Sequence, residues 1–197
     1  MVQDSGRLKT AIRIILTCGY ADKIPLSAEP NLIIVTEDLP DYPEEIYKNG
    51  VKIISINYQR EFPKIKSLNY LNEFLIEPLK KEKNAFDVLY HSGHGITECP
   101  RSNFFVFKDG TLITPSENIL HGITRRIVLQ LAKDYFKIEE RAISLSEIKD
   151  IDEAFITSTT KGIVPVSQID DIKIGSGTPG VQTKRIMKLF HNYTNEY

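Results

Sequence analysis

The chain has 197 residues, 41% of them hydrophobic, enough to bury a sizeable core in one large domain or in one domain plus part of another. Its 25 Lys and Arg against 26 Asp and Glu leave a formal net charge of −1, so no global basic field recruits nucleic acid or an anionic membrane. Cys18 and Cys99 are too few for a disulfide framework; with no signal-peptide pattern and no apolar run near the ~20 residues of a membrane span, a soluble cytoplasmic protein is expected.

Short apolar runs come first: "AIRIILT" (11–17), "NLIIVTE" (31–37) and "VKIISINY" (51–58), separated by Pro25, Pro30, Pro40, Pro43 and Gly50. These read as strands, with a short helical turn in "DYPEEIYKNG", and together they predict a small α+β unit over 1–62. The boundary is expected near Phe62 to Lys66, with a second domain over 63–197. From Ser67, the positions Leu68, Leu71, Leu75, Ile76 and Leu79 follow helical spacing, and Pro78 predicts a kink or restart. "FDVLYHSGHGITE" and "SNFFVFKDGTLITP" are successive hairpin signals, turning at Ser92 to Gly95 and at Asp109-Gly110.

Beyond Pro115 a helix is expected to begin beside Gly122, with Ile123, Ile127, Val128, Leu131, Ala132 and Tyr135 on one face. "DEAFITSTT" reads as a buried strand ending in hydroxyl residues, and "IVPVSQIDDIKI" as further strand turning at Asp170-Asp171. Thr178 and Pro179 open a last helix as N-cap and first helical residue, with Val181, Ile186, Leu189 and Phe190 on its buried face. The whole is a mixed α+β pattern.

Polar residues gather at the element junctions. Lys66 stands before a helix, Glu98 ends a strand, "HGIT" (121–124) opens a helix and "TSTTKG" (157–162) closes a strand. Singly, a lysine or glutamate is usually solvated and a Ser/Thr run is usually turn chemistry. Jointly they meet the demands of pyridoxal 5'-phosphate: an amine for its aldehyde, a carboxylate for its pyridine nitrogen, and donors for a dianionic phosphate. Gly122, Ile123 and Thr124 can present helix-start N–H groups to an anion, with Ser158, Thr159 and Thr160 closing the cup. His91 and His94 lack a third ligand at a metal-binding spacing and read as loop histidines, Cys99 reads as a small buried side chain, and Arg101 faces either a substrate carboxylate or solvent.

"KSLNYL" (66–71), "ITECPRSNFFVFKDGTLITP" (96–115), "ILHGITRRIVLQLA" (119–132), "DEAFITSTTKGIVPV" (152–166) and "TPGVQTKRI" (178–186) resemble, in order and spacing, the class IV aminotransferases. That family comprises branched-chain and D-amino-acid aminotransferases and aminodeoxychorismate lyases, all of fold type IV among the pyridoxal phosphate enzymes. The resemblance implies that Lys66 is the Schiff-base lysine and Glu98 the partner of the pyridine nitrogen. It places Ile123 and Thr124 on the phosphate, Leu120 against the ring and Tyr70 near the phenolic oxygen. Ser158, Thr159 and Thr160 fall where phosphate and substrate are contacted, and Arg101 and Thr160 become substrate-binding candidates. A homodimer is implied, acting on small amino acids and 2-oxo acids. The implied reaction is amino transfer through a Lys66 aldimine, from a branched-chain-like or D-amino acid. The alternatives are a pyruvate-eliminating lyase and a shortened, non-catalytic subunit or interaction module. A "G-D-G-x-F-E" type stretch and a phosphate-binding arginine are not visible, and neither Arg7 nor Arg13 can be assigned that role, so the chain looks like a member lacking the first part of its N-terminal domain.

Overall fold

A computed structural model describes residues 10–19 and 29–196. Two compact units divide the chain, Met1–Asp41 and Tyr42–Tyr197. In the first, β1 (Ala11–Thr17) pairs antiparallel with β2 (Asn31–Glu37), Ala11 opposite Glu37 and Thr17 opposite Asn31. One face of this ribbon carries Ile12, Ile14, Leu16, Leu32 and Ile34, all exposed. Arg13 is paired with Glu37 at 2.7 Å.

The second unit runs through α1 (Glu45–Asn49), β3 (Val51–Asn57), α2 (Leu71–Glu82), β4 (Asp87–Ser92), β5 (Gly95–Ile96), β6 (Glu98–Cys99), β7 (Ser102–Lys108) and β8 (Thr111–Thr114). It continues with α3 (Ile123–Ala132), β9 (Lys137–Glu140), a 3₁₀ turn (Leu145–Asp150), β10 (Glu153–Ser158), β11 (Gly162–Ile169), β12 (Ile172–Lys173) and α4 (Val181–Asn195). One sheet runs β5-β4-β3-β11-β10-β7-β8-β9, with β12 added to β11 and β6 to β7. The sheet curls back on itself. Thr97 donates both its N–H (2.9 Å) and its hydroxyl (3.1 Å) to the Tyr90 carbonyl, which carries the stretch ending in β6 along β4, while β6 pairs with β7.

Strand alternation explains the layering. Phe104 and Val106 of β7 point into the barrel-like interior with Ile53, Leu89, Ile156 and Val164. Phe105 and Phe107 point outward, where α3 and α4 cover them with Val128, Ala132 and Ile186. Phe105 stacks on Phe155 of β10 with ring centres 4.9 Å apart.

Several expectations are corrected. The strand at 51–57 does not close a small unit over 1–62: β3 pairs in parallel with β11 and β4, inside the large sheet. The helix expected from Ser67 starts at Leu71, because Ser67 and Tyr70 donate their N–H groups to Ile65 and Leu68 in tight turns. Lys66 therefore sits in a turn, and Pro78 lies within a continuous helix. Leu71, Phe74 and Leu75 are 65, 70 and 69% exposed, while Ile76 packs on the sheet. In α3 the buried residues include Thr124 and Arg125, while Ile123 is exposed. In α4 the N-cap is Gly180, not Thr178. The reason is a cap from another element: the Glu153 carboxylate accepts the N–H groups of Gln182 (3.0 Å) and Thr183 (2.7 Å). A Cβ at position 180 would lie 2.0 Å from that carboxyl carbon, and Val181 beside it is 80% exposed rather than buried.

Candidate active site

Sheet register sets the frame. Glu98 of β6 pairs with Asn103 of β7, Asn103 with Thr157 of β10, and Thr157 with Ile163 of β11. Directly paired residues share a face, so Glu98, Asn103 and Thr157 form a polar row at one end of the face that α3 and α4 cover. Glu98 is 3% exposed. Its Oε1 accepts from the Arg60 guanidinium at 2.9 Å, and its Oε2 accepts from the Leu120 N–H (2.9 Å) and from Asn103 Nδ2 (3.2 Å). Burial pushes its pKa up, while the Leu120 N–H and Arg60 pull it back; the charge of Lys66 also acts on it.

The loop before α3 is tied to the same row. Asn103 Nδ2 also donates to the Leu120 carbonyl at 2.6 Å, and a Cβ at Gly122 would lie 2.4 Å from Asn103 Oδ1. Only glycine lets the N-cap come this close. No side chain caps α3, which leaves its first-turn N–H groups and its dipole open toward an anion.

Lys66 is exposed in its turn. Tyr70 precedes α2, and its ring lies 4.6 Å beneath the Arg101 guanidinium, which is half-exposed and held through Nε by Glu73 at 2.9 Å. Tyr58, Arg60, Tyr70, Tyr90 and Pro100 line one cleft, which joins the Tyr70 side to the Glu98 cluster. Leu120 is half-buried. Ser158 Oγ accepts from the Lys161 N–H at 3.2 Å, while Thr159 and Thr160 are exposed at the turn.

Sequence reasoning missed Arg60 and Asn103, and held Thr157 only as part of the "TSTTKG" cluster. Asn103 lay inside a quoted motif, but nothing local distinguishes Arg60, which acts on an acid 38 residues away. Arg7 lies outside the described residues. The residues present fit pyridoxal 5'-phosphate. A carboxylate offers about four acceptor positions, and Oε1 of Glu98 uses one of its two, so a ring N–H can still be received. Thr157 Oγ1 is buried without a hydrogen-bond partner beside the open start of α3, as a hydroxyl awaiting an acceptor would be.

The family model for amino-transferase class IV matches residues 2–169. The chain belongs to the class IV aminotransferase family. A D-alanine aminotransferase of Listeria monocytogenes is 31% identical over 172 residues, covering 86% of this chain and 59% of the relative. One from Bacillus licheniformis is 38% identical over 154 residues, covering 76% and 54%. The chain thus spans little more than half the length of these curated relatives. A branched-chain amino acid aminotransferase of Escherichia coli superimposes with a TM-score of 0.86 at 26% identity, over 97% of this chain and 67% of that one. A 4-amino-4-deoxychorismate lyase structure from Legionella pneumophila gives 0.84 at 26% identity, over 97% and 72%. This class IV member shares the fold type IV architecture of those neighbours. Among its described residues no helix is long and apolar enough to cross a membrane.

Proposed function

We propose that this chain is the cofactor-holding part of a pyridoxal 5'-phosphate-dependent aminotransferase, moving an amino group between an amino acid and a 2-oxo acid. The observation that carries the reading is the buried Glu98, fixed by Arg60, Asn103 and the Leu120 N–H, with Lys66 close enough to act on it. When bound, the cofactor supplies an electron sink for the bond to a substrate α-carbon. Glu98 would hold the ring nitrogen, with Arg60 keeping its carboxylate ionised. The first-turn N–H groups at Ile123 and Thr124 would hold the phosphate, together with Ser158, Thr159 and Thr160, and Leu120 would pack on the ring. Lys66 would hold the cofactor through its Nζ and carry the proton of the substrate α-carbon. Arg101 receives the substrate carboxylate.

The D-alanine aminotransferase relatives favour a D-amino acid donor, and the branched-chain neighbours a larger apolar one. The Legionella neighbour supports the lyase as a second reading. The working form is a homodimer in the cytoplasm; the exposed Leu68, Leu71, Phe74 and Leu75 support an apolar contact of that kind. The test is absorption of the purified chain with pyridoxal 5'-phosphate. A near-visible band that disappears in Lys66→Ala, with far-UV dichroism unchanged, supports the reading; a band that survives removes Lys66 from the role. Turnover with D-alanine, branched-chain L-amino acids or aminodeoxychorismate then divides transaminase from lyase.

A further inference from the structure

A buried ion pair lies beside this cluster and belongs to none of the roles above. Lys161 follows the hydroxyl run at the β10–β11 turn, and its Nζ stands 3.2 Å from Oδ2 of Asp87, the first residue of β4. Each side chain is only 10% exposed. The Lys161 backbone is held too: its N–H donates to Ser158 Oγ, and its carbonyl accepts the Tyr47 hydroxyl at 3.0 Å. Asp87 is fixed by accepting the Val88 N–H at 2.9 Å on its other oxygen.

The pair joins the start of β4 to the β10–β11 turn, with β3 lying between β4 and β11 in the sheet. Asp87 belongs to β4, along which the strand of Glu98 and Cys99 runs, and the buried Cys99 thiol feels both charges. Lys161 stands in the turn that carries Ser158, Thr159 and Thr160. A lysine in a surface turn ordinarily keeps its ammonium in water, and burying a charged pair brings little net stability over an apolar pair of equal volume. What an ion pair adds is a defined distance and direction.

We propose that Lys161 and Asp87 form a positioning strut, tying the Ser158–Thr160 turn to β4 and so setting where that turn stands relative to the row of Glu98, Asn103 and Thr157. The inference rests on the cofactor reading, in which that turn would face the cofactor's phosphate and Glu98 its ring nitrogen. Neither residue is a catalytic group; both act through the turn.

The experiment titrates the full chain, and its Lys161→Met, Asp87→Asn and Lys161→Arg variants, with pyridoxal 5'-phosphate and separately with pyridoxal. Lys161→Met and Asp87→Asn are expected to lose roughly tenfold in affinity for the phosphorylated form, the scale of removing the support behind a bonding group, with pyridoxal affinity held within about twofold. Lys161→Arg recovers most of the difference. A double variant, Lys161→Met with Asp87→Leu, leaves no lone buried charge, so it folds and still shows the loss. Retention of the phosphate preference in the folded variants, or equal loss of both ligands, overturns the strut. A wild-type chain with no preference for the phosphorylated form overturns the cofactor reading itself and the strut with it.

Discussion

Replacing Arg60 by Met tests the electrostatics at the centre of the site. Arg60 and Glu98 side chains are 14% and 4% exposed, so solvent does little to screen the loss. Removing one partner of such a pair costs about 3–5 kcal/mol at neutral pH. Glu98 keeps the Leu120 N–H and Asn103 Nδ2, which sets the expectation at the lower end, about 3 kcal/mol. The sign with pH follows from the raised Glu98 pKa: folding disfavours its ionised form. That contribution to stability is fully present below the ordinary carboxylate value of 4.5 and is lost as pH rises through the folded value. Losing Arg60 raises the folded value further, so the deficit opens above 4.5 and closes below it. On the acid side only the Arg60 bonds to the Ile65 carbonyl (3.1 Å) and the Pro63 carbonyl (3.5 Å) are missed, about 1 kcal/mol together. Urea unfolding of wild type, Arg60→Met, Glu98→Gln and the double variant, at neutral pH and just below 4.5, measures this. The double variant should recover most of the neutral-pH loss. An Arg60→Met deficit that is equal at both pH values, or a double variant no better than the single, refutes the reasoning.

Gly122→Ala should cost about 1–3 kcal/mol and weaken pyridoxal 5'-phosphate binding, although φ of −65° suits any residue, because the new Cβ meets Asn103 Oδ1; unchanged urea midpoints would contradict this. Glu153→Ala should cost about 1–2 kcal/mol, as losing a helix cap does, and speed hydrogen exchange at Gln182 and Thr183. If those amides keep their protection, the cap belongs to something else. A thiol reagent should modify exposed Cys18 in the native chain, whereas Cys99, 1% exposed and with its pKa pushed well up by burial, should react only on unfolding. Two fast native thiols would contradict the packing described.

Strands were legible because alternation and turn residues are local signals. "SNFFVFKDGTLITP" folds as the hairpin its Asp109-Gly110 turn predicts, with Asp109 and Gly110 both at positive φ. Helix starts were less legible. Thr178 has the chemistry of an N-cap, but Glu153, brought in by the sheet, fills that role for α4. The apolar period through Leu71 and Leu75 identifies a helix without identifying what covers it. Glu98 was found through its motif; its support was not, since Arg60 reaches it only after the chain has folded. Residues 137–150, with β9 and the capping box of Ser144 and Glu147, carried no pattern strong enough to read.

Strand β7 works as a party wall. Phe104 and Val106 furnish the room inside the sheet, Phe105 and Phe107 the room beneath the helices, and Asn103 at its end holds both the acid and the start of α3. Neither room can be refitted alone: a bulkier side chain on the inner side displaces the plaster on the outer one, and the disturbance arrives at Asn103 from whichever side it began.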